Sequence, residues 1–297
     1  MDPFTKVFLT LRHVARHPVN RDRKLKAVLE YGLIQIAART VPGDICVKFP
    51  NDTRLLVPPR MKGAAHYIAP RICEFEEMAF VMHFVRPDDL FVDVGANIGA
   101  FTVLAGGVAG ACTLSFEPVT GTFEMLTRNV LLNGLQGRAK TVRAAVGRKE
   151  GTVQLSVGFG TENRVTTNSR ASDSASVPLT TLDKELAGRA ATFLKVDVEG
   201  FESDVFAGAS ETLKQPKLEA MIVERGNMGL EYGFDEEALH RSIREHGFLA
   251  CRYDPFTRQL SATDGSTSGI VIYVRDLAAS NQRLRTAAKF TLGDLSV

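Results

Sequence analysis

The chain is 297 residues long, with apolar residues at 44% and charged residues at 24%. That is enough to bury a sizeable core and too ordinary for a disordered or fibrous chain. Lysine and arginine number 36 against 34 acidic residues, a balance that argues against nucleic acid as a partner, and no uninterrupted apolar run approaches the ~20 residues that cross a bilayer.

Residues 1–86 are read as an N-terminal helical and hairpin extension. Phe4, Val7, Phe8, Leu11 and Val14 recur at helical spacing, and His17-Pro18 ends that helix. The charged start is not read as a secretory signal. Asn20 or Asp22 caps a second helix carrying Leu25, Val28, Leu29, Leu33, Ile34 and Ile36. Residues 1–26 hold seven Lys/Arg and two Asp, a net of +5. The favoured reading is a solvated face of helices packed on the main domain; weak contact with an anionic membrane surface or a phosphorylated substrate is the alternative. Residues 45–49 and 53–57 form a hairpin around Asn51-Asp52, and a helix covers 73–84.

From 87 to 276 strands and helices alternate. Strands are expected at 90–94, 111–116, 141–146, 153–157, 177–182, 192–198, 218–223, 248–253 and 269–274. Helices fall at 98–108, 119–132, 201–213 and 236–246. Apolar strands alternating with helices predict an α/β domain with a parallel sheet covered on both faces. The last two strands lack an intervening helix and so pair antiparallel. Residues 158–176, rich in Gly, Ser, Thr and Asn, read as a mobile loop near the ligand, and 277–297 as a partly helical tail. Four scattered cysteines without a CxxC pair are small core residues in a reducing, cytoplasmic setting.

Three segments carry chemistry. In Phe91-Val-Asp-Val-Gly-Ala-Asn-Ile-Gly99 a strand ends, glycines turn the chain and a helix begins, at the edge where open α/β sheets bind ligands. The spacing is not GxGxxG, and Asp93 at the strand tip suits a cationic amine or sulfonium rather than phosphate. Glu117-Pro118 ends the next strand, placed to accept hydrogen bonds from a ribose diol. Helix capping is the plainer reading of each acid alone; together they describe a nucleoside site without phosphate. In Phe193-Leu-Lys-Val-Asp-Val-Glu199, Lys195, Asp197 and Glu199 share one face. Such a trio is costly to bury and either neutralises itself or serves the crevice beside Asp93.

DVGANIG, SFEP, Asn129-Val-Leu-Leu-Asn133-Gly, Ala144-Ala-Val-Gly147, KVDVEGFE and Ile222-Val-Glu224, in that order, resemble the FkbM family of S-adenosylmethionine-dependent methyltransferases. The resemblance implies a Rossmann-like class I fold of seven strands, the last antiparallel at the edge. It implies that Asp93, Gly95, Ala96, Asn97 and Gly99 border the methionine part of S-adenosyl-L-methionine, and that Glu117 and Pro118 flank its ribose. It places Ala144 and Ala145 near adenine, where the contact is backbone only, and Asp197 beside the cofactor. It makes Asn129 and Asn133 braces, and Thr161-Glu-Asn163-Arg164-Val165 an active-site loop.

The family's usual chemistry is O-methylation of sugars or polyketide-type hydroxyls. Lys195, Asp197, Glu199 and Glu224 are then the candidate catalytic residues: Asp197 or Glu199 as base or to orient the acceptor, Lys195 to hold them ionised or to hydrogen-bond the acceptor oxygen, Glu224 as a second candidate for gripping the acceptor. A divalent metal on Asp197, Glu199 and Glu224 is chemically compatible, but the spacing does not require one and none is assigned. His66 has no nameable partner, and His83, on an apolar helix, reads as a packed histidine. The expected acceptor is a small molecule or glycan, and a homo-oligomer stays open. A nicotinamide-dependent oxidoreductase, or a non-catalytic nucleoside or glycan-binding module, is the alternative.

Overall fold

In the computed structural model the described residues are 3–21, 23–40, 42–58, 72–156, 174–225, 235–265, 269–292 and 295–297. Helices α1 (Pro3–Arg16) and α2 (Lys24–Thr40) come first, then a hairpin pairing Ile45–Lys48 with Arg54–Val57, then α3 (Phe75–Phe84). The main sheet follows: β1 (Leu90–Val94), β2 (Cys112–Phe116), β3 (Ala139–Val142), β4 (Phe193–Val196), β5 (Ala220–Arg225), β6 (Leu249–Asp254), β7 (Gln259–Ala262) and β8 (Gly269–Val274).

The spatial order is β7-β6-β8-β5-β4-β1-β2-β3. β3, β2, β1, β4 and β5 are parallel neighbours, whereas β8 runs antiparallel to both β5 and β6, and β7 antiparallel to β6. The expected α/β class and antiparallel closing pair are therefore present, with two corrections. Among the described residues the sheet has eight strands where seven are expected, because Gln259–Ala262 folds back on β6 and adds an edge. The reversed strand β8 lies inside the sheet, between β5 and β6, where the apolar run Gly269–Val274 is covered on both sides.

Side-chain alternation divides the strands between two cores. Phe91, Phe193, Ala220, Ile222 and Ile272 face α3, whereas Val92, Leu114, Leu194, Met221 and Tyr273 face the opposite helices. Phe80 and Phe84 of α3 stack on Phe193, at 5.6 and 5.8 Å between ring centroids. This fixes α3 across the face that also carries Asp93 and Lys195, two residues further along β1 and β4. The same apolar cluster takes in Val47 and Leu55 of the hairpin and Leu284 and Phe290 of the tail.

Other boundaries differ locally. The expected strand 141–146 divides: Ala139–Val142 joins the main sheet, while Ala145–Val146 pairs with Ser174–Thr180 in a separate three-stranded sheet with Gly151–Ser156. The expected helix 201–213 breaks into Glu202–Ala207 and Ser210–Lys214 around Gly208, whose α-carbon packs so near the Gly147 carbonyl that a β-carbon would lie 2.0 Å from that oxygen. Leu25, Leu29, Leu33 and Ile36 of the expected second helix are exposed on α2. No helix among the described residues is long and apolar enough to cross a membrane.

Candidate active site

The turn after β1 is built for close backbone contact. Gly95 has φ 77°, and a β-carbon there would stand 1.8 Å from the Asp197 carbonyl oxygen. The Gly95 and Ala96 amides both donate to the Phe116 carbonyl oxygen, at 3.0 and 2.9 Å. Asn97 is left-handed (φ 51°), and its Oδ1 is buried without a partner. Gly99 (φ 89°) starts the helix Ala100–Val103, and its missing side chain leaves room for Leu126.

Asp93 is fully buried. Its Oδ2 accepts from Thr102 Oγ1 at 2.7 Å, and that hydroxyl meets Ser115 Oγ at 2.8 Å. Its Oδ1 lies 3.7 Å from Lys195 Nζ. Burial pushes the Asp93 carboxyl up, against the pull of Lys195 and Thr102. Lys195, also buried, donates to the Gly95 carbonyl at 2.9 Å and pairs with Asp197 Oδ2 at 3.0 Å. Burial alone would lower its pKa; the attraction of Asp197, Asp93 and Glu74 reverses that and raises it. Asp93 and Lys195 are direct register partners on β1 and β4, so the ion pair is set by strand pairing itself.

Beyond Lys195, carboxylate oxygens of Asp197, Glu199 and Glu224 lie within 4.8 Å of one another. Such a set suits a hard divalent cation, but the Lys195 ammonium already stands beside Asp197. Burial, followed by the charge of Asp197, a hydrogen bond to Asp197 and the charge of Glu199, pushes Glu224 up to about 10. In its neutral form Glu224 can donate toward Asp197. Glu199 adopts φ 56° in the turn after β4. Glu202 Oε1 accepts from the Val198 and Gly200 amides at 3.0 and 3.2 Å and braces that turn; burial, partly offset by these bonds, brings its pKa to about 7.

Glu117 is buried at the tip of β2. Oε1 accepts from the Val119 amide (2.9 Å) and Thr122 Oγ1 (2.7 Å), and Oε2 from the Asn97 amide (3.0 Å). A carboxylate accepts about four hydrogen bonds, so one acceptor position remains, on Oε2, rather than the pair expected for a diol. Burial raises this carboxyl above the usual range despite those three bonds. Pro118 continues from it, half-buried. Ala144 and Ala145 are buried past the end of β3, and Ala145 packs against Leu155 and Val177. The Ala145 side chain is thus committed to packing.

A family pattern, that of the methyltransferase FkbM domain, matches residues 93–250, just over half of the chain. The chain belongs to the FkbM methyltransferase family. It is similar to Methyltransferase 1 of Beauveria bassiana (strain ARSEF 2860), at 29% identity over 159 residues, 51% of this chain and 61% of that one. The match thus spans less than two thirds of that relative. Among solved structures it resembles a methyltransferase FkbM from Methylobacillus flagellatus KT, with 15% identity, TM-score 0.44, and coverage of 84% of this chain and 60% of that one. It also resembles a Pyrococcus abyssi tRNA (uracil-54, C5)-methyltransferase in complex with S-adenosyl-L-homocysteine, with 11% identity, TM-score 0.43, and coverage of 78% and 44%.

The FkbM-matched stretch opens at Asp93 and contains every candidate site residue named from the sequence, but not Glu74. Glu74 precedes the first turn of α3, and its Oε2 is buried without a hydrogen-bond partner. Burial, then the charge of Asp197, raises its pKa to about 8, against the pull of Lys195. The sequence offers three glutamates, 74, 76 and 77, around Phe75. Helical phase cannot single out the first, because only the seating of Phe80 and Phe84 on Phe193 turns it toward the strand tips. Nothing in the sequence singles out Thr102 and Ser115, whose hydroxyls connect to Asp93 only once the helix after Gly99 packs on β1 and β2.

Asn129 is a brace, as expected: its side chain accepts from the Leu56 amide (2.6 Å) and donates to the Leu56 and Ile98 carbonyls. Asn133 does the same for Arg54. His83 is packed, with Nδ1 2.6 Å from the Tyr253 hydroxyl, and burial lowers its pKa to about 4. His66 and the segment Thr161–Val165 lie outside the described residues.

Proposed function

We propose that the chain is an S-adenosyl-L-methionine-dependent methyltransferase that O-methylates a hydroxyl, with a sugar, glycan or related metabolite as acceptor. The observation that carries this reading is the crowding of carboxyls at the ends of β1, β4 and β5. Glu74 and Glu224 retain protons to about 8 and about 10 because burial and neighbouring anions disfavour their charged forms. A crevice so disposed favours a ligand bearing positive charge. It disfavours a pyrophosphate, and the Gly95 and Ala96 amides at the turn, which would have to cradle one, are already bonded to Phe116. That counts against a nicotinamide-dependent oxidoreductase.

The donor fits these residues: a sulfonium and an ammonium match the carboxyls, and the remaining acceptor position of Glu117 Oε2 suits one ribose hydroxyl. When bound, it supplies a methyl group already carried on a good leaving group. Asn97 Oδ1, buried without a partner, is a second acceptor for the nucleoside. Glu74 supplies a carboxyl for the ammonium. Asp197, held in place by Lys195 and Glu224, orients the acceptor hydroxyl. The hydroxyl proton would pass to Asp197 as the methyl carbon's bond to sulfur breaks and its bond to the hydroxyl oxygen forms, when even a weak base suffices. Orientation of this kind supplies ~7–11 kcal/mol of barrier reduction and proton removal ~10²–10⁴-fold.

Titration calorimetry of the purified chain with S-adenosylmethionine, S-adenosylhomocysteine and NAD tests the donor. Heat with the first two and none with NAD is expected; silence with both sulfur compounds overturns the proposal. A screen of sugars and glycans with radiolabelled donor then tests the acceptor, and transfer to nitrogen or carbon alone would refute O-methylation.

A further inference from the structure

The pairing of α1 with α2 leaves an outer face of unusual composition. Val14 and Ala27 bury against Val28 and Tyr31, closing the two helices on each other. His17 stacks on Phe75 at 5.9 Å, and Val19 and Ile34 join the main core, so the pair is anchored to α3. The inward positions are thus filled. Yet Leu25, Leu29, Leu33 and Ile36 are 60–75% exposed, and Leu9 on α1 is 44% exposed.

At ~100° per residue the four α2 side chains fall within an arc of about 80°, in a stripe about 16 Å long. They form a continuous ridge rather than scattered surface residues. A Cβ on Gly32, beside this ridge, would meet nothing within 4 Å. The other exposed side chains are equally selective. Arg12, Arg16, Arg21, Lys24 and Lys26 are exposed. Among the described residues 9–36 no acidic side chain is exposed; Glu30, half-buried, is taken by Arg23.

An ordinary solvated helix face interleaves acids with bases and carries few aliphatics. A protein docking face of this size would leave five cations needing carboxylates. Exposed aliphatic side chains continuing from a cluster of exposed lysine and arginine at residues 12–26, with no exposed acid among the described residues of the pair, match the boundary between acyl chains and anionic headgroups. We infer that the α1–α2 pair docks on an anionic lipid surface, with Leu25, Leu29, Leu33 and Ile36 entering the headgroup boundary and the exposed cations of α1, the connecting turn and the start of α2 meeting lipid phosphates and carboxylates. This binding is independent of the methyl-transfer reading, because it uses no residue of the crevice.

The test uses the full chain, sedimented with vesicles of phosphatidylcholine alone or with roughly one quarter phosphatidylserine, at about 0.1 M salt, where the screening length is ~10 Å. Anionic vesicles should carry down at least ~10-fold more protein than neutral ones, since each cation near the surface contributes roughly fivefold. Leu29→Gln with Leu33→Gln, and separately Lys24→Glu with Lys26→Glu, should each lower binding at least ~10-fold while the melting temperature holds. The chain contains no tryptophan, so Leu33→Trp gives a clean probe whose emission should shift to the blue with anionic vesicles only. Protein remaining in the supernatant with both mixtures overturns the inference, as does an unshifted emission. So does a concentration-dependent dimer that the leucine pair variant abolishes while vesicles bind nothing, which would assign the ridge to a second copy.

Discussion

The carbonyl oxygen of Asp197 lies 1.8 Å from the point that a β-carbon on Gly95 would occupy. The tips of β1 and β4 are therefore in backbone contact, closed further by the Lys195 ammonium on the Gly95 carbonyl at 2.9 Å. Gly95→Ala must part the two strand tips and also hold a side chain at φ 77°, where left-handed backbone alone costs ~1–3 kcal/mol. Denaturant unfolding should show a loss above ~2 kcal/mol, with donor binding abolished. A variant of parental stability would contradict the contact.

Lys195 is the buried counter-charge for Asp93 and Asp197. Lys195→Met should cost about 3–5 kcal/mol, because it leaves the buried Asp93 carboxylate, and the half-buried Asp197 beside it, uncompensated. Adding Asp93→Asn should recover part of that loss by removing one of those charges. Independent, additive losses in a double-mutant cycle would show that the pair is not coupled.

Glu224 and Asp197 should separate by substitution. Glu224 holds its proton to about 10, so Glu224→Gln preserves a donor toward Asp197 and should keep turnover within ~10-fold of the parent. Asp197→Ala removes the group that receives the proton and should abolish turnover, with donor affinity changed only modestly. Equal damage from the two variants would place Glu224 in the reaction as an anion.

Glu74 makes stability depend on pH. Its folded pKa, about 8, is above the usual 4.5, so the folded state holds a proton that the unfolded chain releases. That contribution is complete below ~4.5 and fades as pH rises through about 8. His83, lowered to about 4, acts with the opposite sign below ~6.5, so the window to read is above that. Melting temperatures between pH 6.5 and 9 should fall less steeply for Glu74→Gln than for the parent. Parallel profiles would remove Glu74 from the electrostatics of the crevice.

Much of the site was legible because strand tips in an α/β sheet converge. Asp93, Glu117 and Lys195-Val-Asp-Val-Glu199 announce themselves as ionisable residues ending apolar runs, and register then places Asp93 opposite Lys195. What escaped the sequence depends on partners distant along the chain. Glu74 faces the crevice because aromatic packing rotates α3. The diol-binding role expected for Glu117 is narrowed by Thr122 and two amides. Gln259–Ala262 is too short and polar to read as a strand until β6 offers it an edge. In α2, apolar periodicity located a face without saying whether anything covers it, and α1 covers only the other side.

The raised carboxyls of Glu74 and Glu224 also make the crevice a store of exchangeable hydrogen ions. Entry of a cation among them favours their ionised forms and so expels part of that store into the buffer. The heat of donor binding measured near pH 8 should therefore vary with the ionisation enthalpy of the buffer chosen, and the slope of that variation counts the ions released.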